Sequence, residues 1–416
     1  MTTTTALPIP AGLRRVDLSD PETFVREDMD AVWRTLRDEA PVYWHPETPA
    51  GCGFWVLSRY DDVLALLKDD ERFSSGAGNM LDSLHKPNGD PAGGKILALT
   101  DNPRHVALRT ILLKAFTPRI REFIVNRLKV RVDELIDSRL GIGSFDFARE
   151  VAEQIPMGTI CDLLGFPPAD RPRLLDLSRE ALSSDESGQT EDDAWEARNE
   201  LLLMCMDLME ARRADPQDDL VSAMVTCEVG GRMLTDDEVI VNLYGFILAG
   251  DHTSRLAMGG AVTEFAARPE QWRALKESRV SMDKAVEEVV RWTTPVMHVG
   301  RTAKTDMEWG GHTIQAGDLV TAWNISANRD ERHFDAPDVF DLARNPNKHL
   351  AFGFGPHFCF GAYLGRAEVA AVLDTLVKKV SSIELVSEPR PLYSTFLRGY
   401  SSIPVALHGA TETSRP

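Results

Sequence analysis

Phe352-Gly353-Phe354-Gly355-Pro356-His357-Phe358-Cys359-Phe360-Gly361 sets one cysteine inside a run punctuated by glycines. A helical apolar pattern follows, from about Phe360 to Val380, so the run reads as a loop that delivers Cys359 to the start of a helix. Free backbone N–H groups and the positive end of the helix dipole favour a thiolate there. Gly353 and Gly355 allow the turn, and Gly361 removes a side chain where a flat ligand would lie against the backbone. The plain alternative is a buried cysteine in a glycine-rich turn. His357 and Cys359 also form an H-x-C pair, but without further spaced ligands this is weak evidence for zinc.

Upstream, Thr235-Asp236-Asp237-Glu238 is a capping box ahead of an apolar run. The pattern predicts a helix to about Arg268, just before Pro269, roughly 50 Å long at 1.5 Å per residue. Its middle reads Ala249-Gly250-Asp251-His252-Thr253-Ser254, residues of mostly poor helix propensity. Such a local conflict marks function or strain. Met282–Trp292 reads as another helix and Phe54–Leu57 as a strand. Asp61–Lys68 reads as a helix, residues 76–94 as a long glycine-rich loop, and Thr302–Trp323 as short hairpins. Helical patterns dominate Arg104–Arg213, with Ser183–Asp193 as a solvated polar loop. The fold class is mainly α with small β-sheets.

The chain has 416 residues, is 43% hydrophobic and carries a net charge of -18. Even composition favours one domain over residues 1–416, with short flexible ends at about 1–15 and 409–416. The acidic balance argues against nucleic acid or an anionic membrane as main partner. Cys52, Cys161, Cys205, Cys227 and Cys359 are widely spaced and odd in number, which predicts reduced thiols in a cytoplasm. No run of ~20 apolar residues and no signal peptide is evident, so a soluble protein is expected.

The Cys359 loop closely resembles the haem-ligand loop of the cytochrome P-450 superfamily, the haem-thiolate monooxygenases. Four further segments match in the family's order, and the resemblance spans about Leu99 to Arg398. Asp101-Asn102-Pro103-Arg104-His105 with Arg109 is the first. His105 and Arg109 share a helix face, and the resemblance implies that both reach the haem propionates. The second is Glu288-Val289-Val290-Arg291, implied to join Arg344 in a structural triad that supports haem incorporation. Arg301 is the third, a propionate partner from the sheet side, as His357 is from the loop. The fourth is the Ala249–Ser254 interruption, where the resemblance implies that the helix opens beside the haem. Thr253 matches the hydroxyl that steers protons toward bound oxygen. The usual acid before it is replaced by His252, and an acid sits one residue earlier, at Asp251.

The resemblance implies a triangular, mainly α fold with haem b between the long helix and the ligand helix. Cys359 is the axial ligand, His105, Arg109, Arg301 and His357 are the propionate partners, and Ala249 and Gly250 lie against the ring. It implies a monooxygenase that oxidises a small organic molecule, with natural-product metabolism as a family expectation. Ring closure, C–C or C–N coupling, or action on a carrier-tethered substrate remain alternatives. Phe246, Pro295, Val296, Met297, Thr395 and Phe396 are expected to line the substrate pocket. Only 57 residues follow Cys359, so electrons are expected from NAD(P)H through a ferredoxin and its reductase. The protein is expected to be monomeric.

Overall fold

The structure, a computed structural model, describes residues 11–13, 16–26, 28–49, 51–182 and 191–409. The flexible ends expected at about 1–15 and 409–416 fall largely outside these residues. So do residues 183–190 of the polar segment, whose last residues already belong to the helix Glu191–Ala214.

The long helix spans Asp236–Ala267, 32 residues. Thr235 caps it: its hydroxyl accepts from the Glu238 N–H, and the Glu238 carboxylate accepts from the Thr235 N–H. Asp236, Asp237 and Glu238 complement the positive end of the dipole. The expected interruption is absent, because Ala249–Ser254 is helical throughout. Poor propensity is overridden by tertiary partners. Asp251 and His252 both bond Ser178 on the helix Arg171–Leu182, and the Thr253 hydroxyl donates back to the Ala249 carbonyl.

One apolar core packs the C-terminal half of the long helix against Met282–Thr293 and Ala362–Lys379. A second packs its N-terminal half against Gln154–Leu164, Arg171–Leu182 and Glu191–Ala214. Both cores pull on opposite ends of one rod, which fixes its middle as a wall. To one side lies a five-stranded sheet in the order Val42–His45, Phe54–Leu57, Leu319–Ala322, Val299–Ala303, Phe73–Ser74. Only the Phe54–Leu57 and Leu319–Ala322 pair is parallel. Gly310 and Gly311 turn the hairpin Met307–Trp309/His312–Ile314 with positive φ. The 76–94 loop contains one helical turn, Leu81–Leu84. Among the described residues no helix is long and apolar enough to cross a membrane.

Candidate active site

Cys359 sits two residues before the N-cap of the helix Ala362–Lys379. Gly353 and Gly355 adopt φ of +68° and +70°, which a side chain resists. At Gly355 a Cβ would also come within 2.6 Å of the Leu67 carbonyl oxygen. The loop is closed by the Cys359 N–H donating to the Phe352 carbonyl at 2.9 Å. Burial pushes the Cys359 thiol up, while the Gly361 and Ala362 backbone N–H groups and the Arg109 and Arg366 charges pull it down. A bound metal ion would deprotonate it outright.

Cys359 opens into a cavity of about 260 Å³. Phe352, Phe358, Gly361, Leu364 and Gly365 form the cysteine side. Phe246, Ala249, Gly250 and Thr253 form the opposite wall on the long helix. Ile96–Ala98 and Ile160 with Leu163 close it with apolar surface. The expected wall residues of the long helix are therefore in place. Pro295, Val296, Met297, Thr395 and Phe396 are not among the lining residues. Their stretches pair with each other instead, through Met297 N–H to Phe396 O at 2.9 Å and a Val296–Leu397 bridge. Val296 and Phe396 pack with Leu256 and Leu392 in a small cluster of their own.

His105 and Arg109 line the cavity with His357. The His105 and His357 rings lie 4.0 Å apart, and His105 sits 3.0 Å from the carbonyl oxygens of Leu97 and Pro356. Burial, then the charges of Arg301, His105 and Arg109, push His357 down to about 2. Arg301 is buried, and its Nη1 donates to the neighbouring Gly300 carbonyl at 2.8 Å. Burial lowers it to about 10, against the attraction of Asp101. Burial lowers Arg109 as well. Four basic groups thus converge with little negative charge to meet them.

Away from the cavity, the Glu288 carboxylate is fully buried and accepts from Arg291 at 2.7 and 2.8 Å. It also accepts from Arg344, Asn347 and the Asp341 N–H. The expected Glu288, Arg291 and Arg344 triad is assembled. Its Arg291 fork also ties down the Asn328 and Pro337 carbonyls.

Asp251 and His252 point away from the cavity. Ser178 Oγ lies 2.9 Å from Asp251 Oδ2 and 3.1 Å from His252 Nε2. Burial pushes Asp251 up to about 6. Burial and the Arg255 charge hold His252 well below its ordinary value, so the imidazole stays neutral near pH 7. Behind them Glu153 joins Arg255 and Arg179 in a chain that leads to the surface.

One titratable cavity residue escaped the sequence reading. Glu368 lines the wall, buried, and the nearby Ser254 and Thr159 hydroxyls favour its charged form. Burial pushes it up to about 7. Its signal was present: Gly361, Leu364, Gly365 and Glu368 follow the i, i+3, i+4, i+7 spacing of one helix face.

With this geometry in hand, the comparisons with known proteins are direct. The family model described as Cytochrome P450 matches residues 169–398. Cytochrome P450 NovI of Streptomyces niveus is 42% identical over 96% of this chain and 98% of its own. The chain belongs to the cytochrome P450 family. A methyl-branched lipid omega-hydroxylase of Mycobacterium bovis is 36% identical to this P450 over 90% of each chain. Among solved structures, P450 OxyD, involved in the biosynthesis of vancomycin-type antibiotics, superposes with a TM-score of 0.87. It shares 32% identity, over 95% of this chain and all of that one.

This P450 is a haem monooxygenase, and its residues fit the group. Cys359 would supply the thiolate at a glycine-lined slot. Arg109 and Arg301, short of carboxylate partners, match two propionates in charge, with His105 and His357 beside them as further donors.

Proposed function

We propose that this P450 inserts one oxygen atom from dioxygen into a small, mainly apolar molecule of bacterial natural-product metabolism. The observation that carries this reading is a single apolar cavity with Cys359 on one wall and Thr253 on the other. Haem held by Cys359 supplies dioxygen activation, the thiolate donating electron density that assists O–O cleavage. The second oxygen atom leaves as water, which takes two electrons and two protons. His105, Arg109, Arg301 and His357 hold the propionates, while Ala249 and Gly250 leave room beside the ring.

The chain's own task is proton supply without flooding the apolar wall. Thr253 holds a proton at Oγ1 on the cavity face. Glu368, near half-protonated around pH 7, feeds that face through Ser254. Asp251 is the second acid, with the Glu153 carboxylate nearby and held in place by Arg179 and Arg255. His252, neutral, acts with Ser178 to hold the Asp251 carboxyl in position. Pro295–Met297, Thr395 and Phe396 shape the substrate space from behind the wall.

Electrons come from NAD(P)H through a ferredoxin and its reductase. Exposed Phe354, Phe358 and Tyr363 surround the Cys359 loop, with Lys68 over Phe354 and Arg121 over Tyr363. Apolar and basic surface on a chain of net charge -18 suits an acidic iron–sulfur partner. The protein works as a monomeric, single-domain cytoplasmic enzyme.

A screen for substrate-induced spectral shifts, followed by mass analysis under isotopically labelled dioxygen, tests the reading. A product carrying one labelled oxygen atom supports it, and label found only in water contradicts it. A second reading has an observation of its own: one solved relative is the P450 PksS of the bacillaene polyketide synthase. A shift seen only with substrate loaded on a carrier protein would favour a tethered substrate.

A further inference from the structure

Four arginines gather around Trp292, near the C-terminal end of the helix Met282–Thr293. The Arg329, Arg268 and Arg291 guanidinium carbons lie 4.3, 5.3 and 5.8 Å from the indole ring. Arg398 Nη1 donates to the Trp292 and Thr293 carbonyl oxygens at 3.0 and 3.1 Å. Arg329 Nη2 donates to that same Trp292 oxygen at 3.2 Å. Two guanidiniums therefore converge on one carbonyl.

The negative charge available to them is small. Arg291 is matched by Glu288 and Arg268 by Glu264. Arg329 feels the Asp30 and Asp338 carboxylates; Asp338 lies 3.9 Å away, is half-exposed and already pairs with Arg34 at 2.7 Å. Among the described residues no carboxylate pairs with Arg398, whose side chain donates to backbone carbonyls. The helix end contributes roughly half an elementary charge. Arg329 is only 3% exposed, and its Nε and Nη1 have no hydrogen-bond partner. A buried charged donor left unsatisfied is strongly unfavourable. Burial and the neighbouring Arg398 and Arg291 also pull Arg329 down to about 9.

We propose that a small inorganic anion binds between Arg329 and Arg398 at this helix end. Its chemistry is that of a compact, hard acceptor, chloride or phosphate, that takes the free Arg329 donors and offsets both cations. Its place gives it a consequence for the active site. Arg398 N–H donates to the Pro295 carbonyl, and Val296 bridges Leu397. Occupancy would therefore anchor Ser394–Arg398 against Pro295–Met297, the two stretches behind the cavity wall.

The test uses the haem-loaded protein in gluconate buffer, titrated with chloride or inorganic phosphate at constant ionic strength. The melting temperature should rise saturably with one of these anions, and which one identifies the ligand. Arg329→Gln and Arg398→Gln should lose the saturable rise, while Arg26→Gln, an exposed arginine elsewhere, keeps it. Arg398 is only half-buried, so its variant remains informative if Arg329→Gln does not fold. Crystals grown with the effective anion, bromide standing in for chloride, should show it between the two guanidiniums. A rise of equal slope in all variants, or an ordered water in that position, would overturn the proposal.

Discussion

Glu288 and Glu368 are both buried glutamates, 0% and 3% exposed, yet their surroundings differ sharply. Glu288 meets two guanidiniums, an amide and a backbone N–H. Glu368 forms no ion pair among the described residues, and burial pushes it up to about 7 against the pull of the Ser254 and Thr159 hydroxyls and the Arg131 charge. Burial alone therefore does not decide what a carboxyl does. The supply of positive charge around it does. The saturated site ties Arg291, Arg344, Asn347 and the Asp341 backbone together, and the unsaturated one keeps a raised pKa beside the cavity.

The comparison breaks most visibly at Glu288. Glu288→Ala strands Arg291 and Arg344 as unpaired buried charges, at a cost of about 3–5 kcal/mol. Little haem-loaded protein should be recovered. Full haem occupancy and an unchanged melting temperature would show the triad to be dispensable.

Thr253→Ala is next in size. It should leave the fold and haem content intact but divert electrons to peroxide, measured as peroxide formed per NAD(P)H consumed. Unchanged coupling would remove Thr253 from the proton path.

Glu368→Gln sharpens the contrast through pH. The carboxyl rises from an ordinary 4.5 to about 7 in the fold, so the folded protein binds its proton more tightly than the unfolded chain. Stability from this group is present below pH ~4.5 and is lost as pH rises through about 7. The wild type should therefore lose melting temperature across that window, and its coupled product formation should fall above about pH 7. Glu368→Gln should flatten both profiles. If the variant keeps both slopes, the proton is carried elsewhere.

The smallest effect is expected at His252. His252→Ala should slow turnover modestly by loosening Ser178 and Asp251, with the spectrum unchanged. Asp251→Asn should change the pH dependence more. The reverse order, measured as coupling against pH, would restore the histidine as the proton carrier.

The two glutamates also mark how much was legible in the sequence. Glu288, Arg291 and Arg344 follow a local i,i+3 spacing plus one family-matched arginine, and their fold was readable in advance. Cys359, the capping box at Thr235 and the helix bounds were equally plain, because turn chemistry and caps are local. The continuity of Ala249–Ser254 was not, since it depends on Ser178, more than seventy residues away. The neutral state of His252 is not legible either, because burial and the Arg255 charge leave no trace in its own neighbours in sequence. Glu368 lay on the ligand-helix face with Gly361, Leu364 and Gly365, a spacing that periodicity could have exposed.

Everything rests on Cys359 as the iron ligand, and the reduced, carbon-monoxide-treated protein tests it most directly. The wild type should show the red-shifted Soret band of a thiolate-ligated haem, at about one haem per chain. Cys359→His should lose that band and most oxidation. A normal thiolate-type band in Cys359→His would contradict the account.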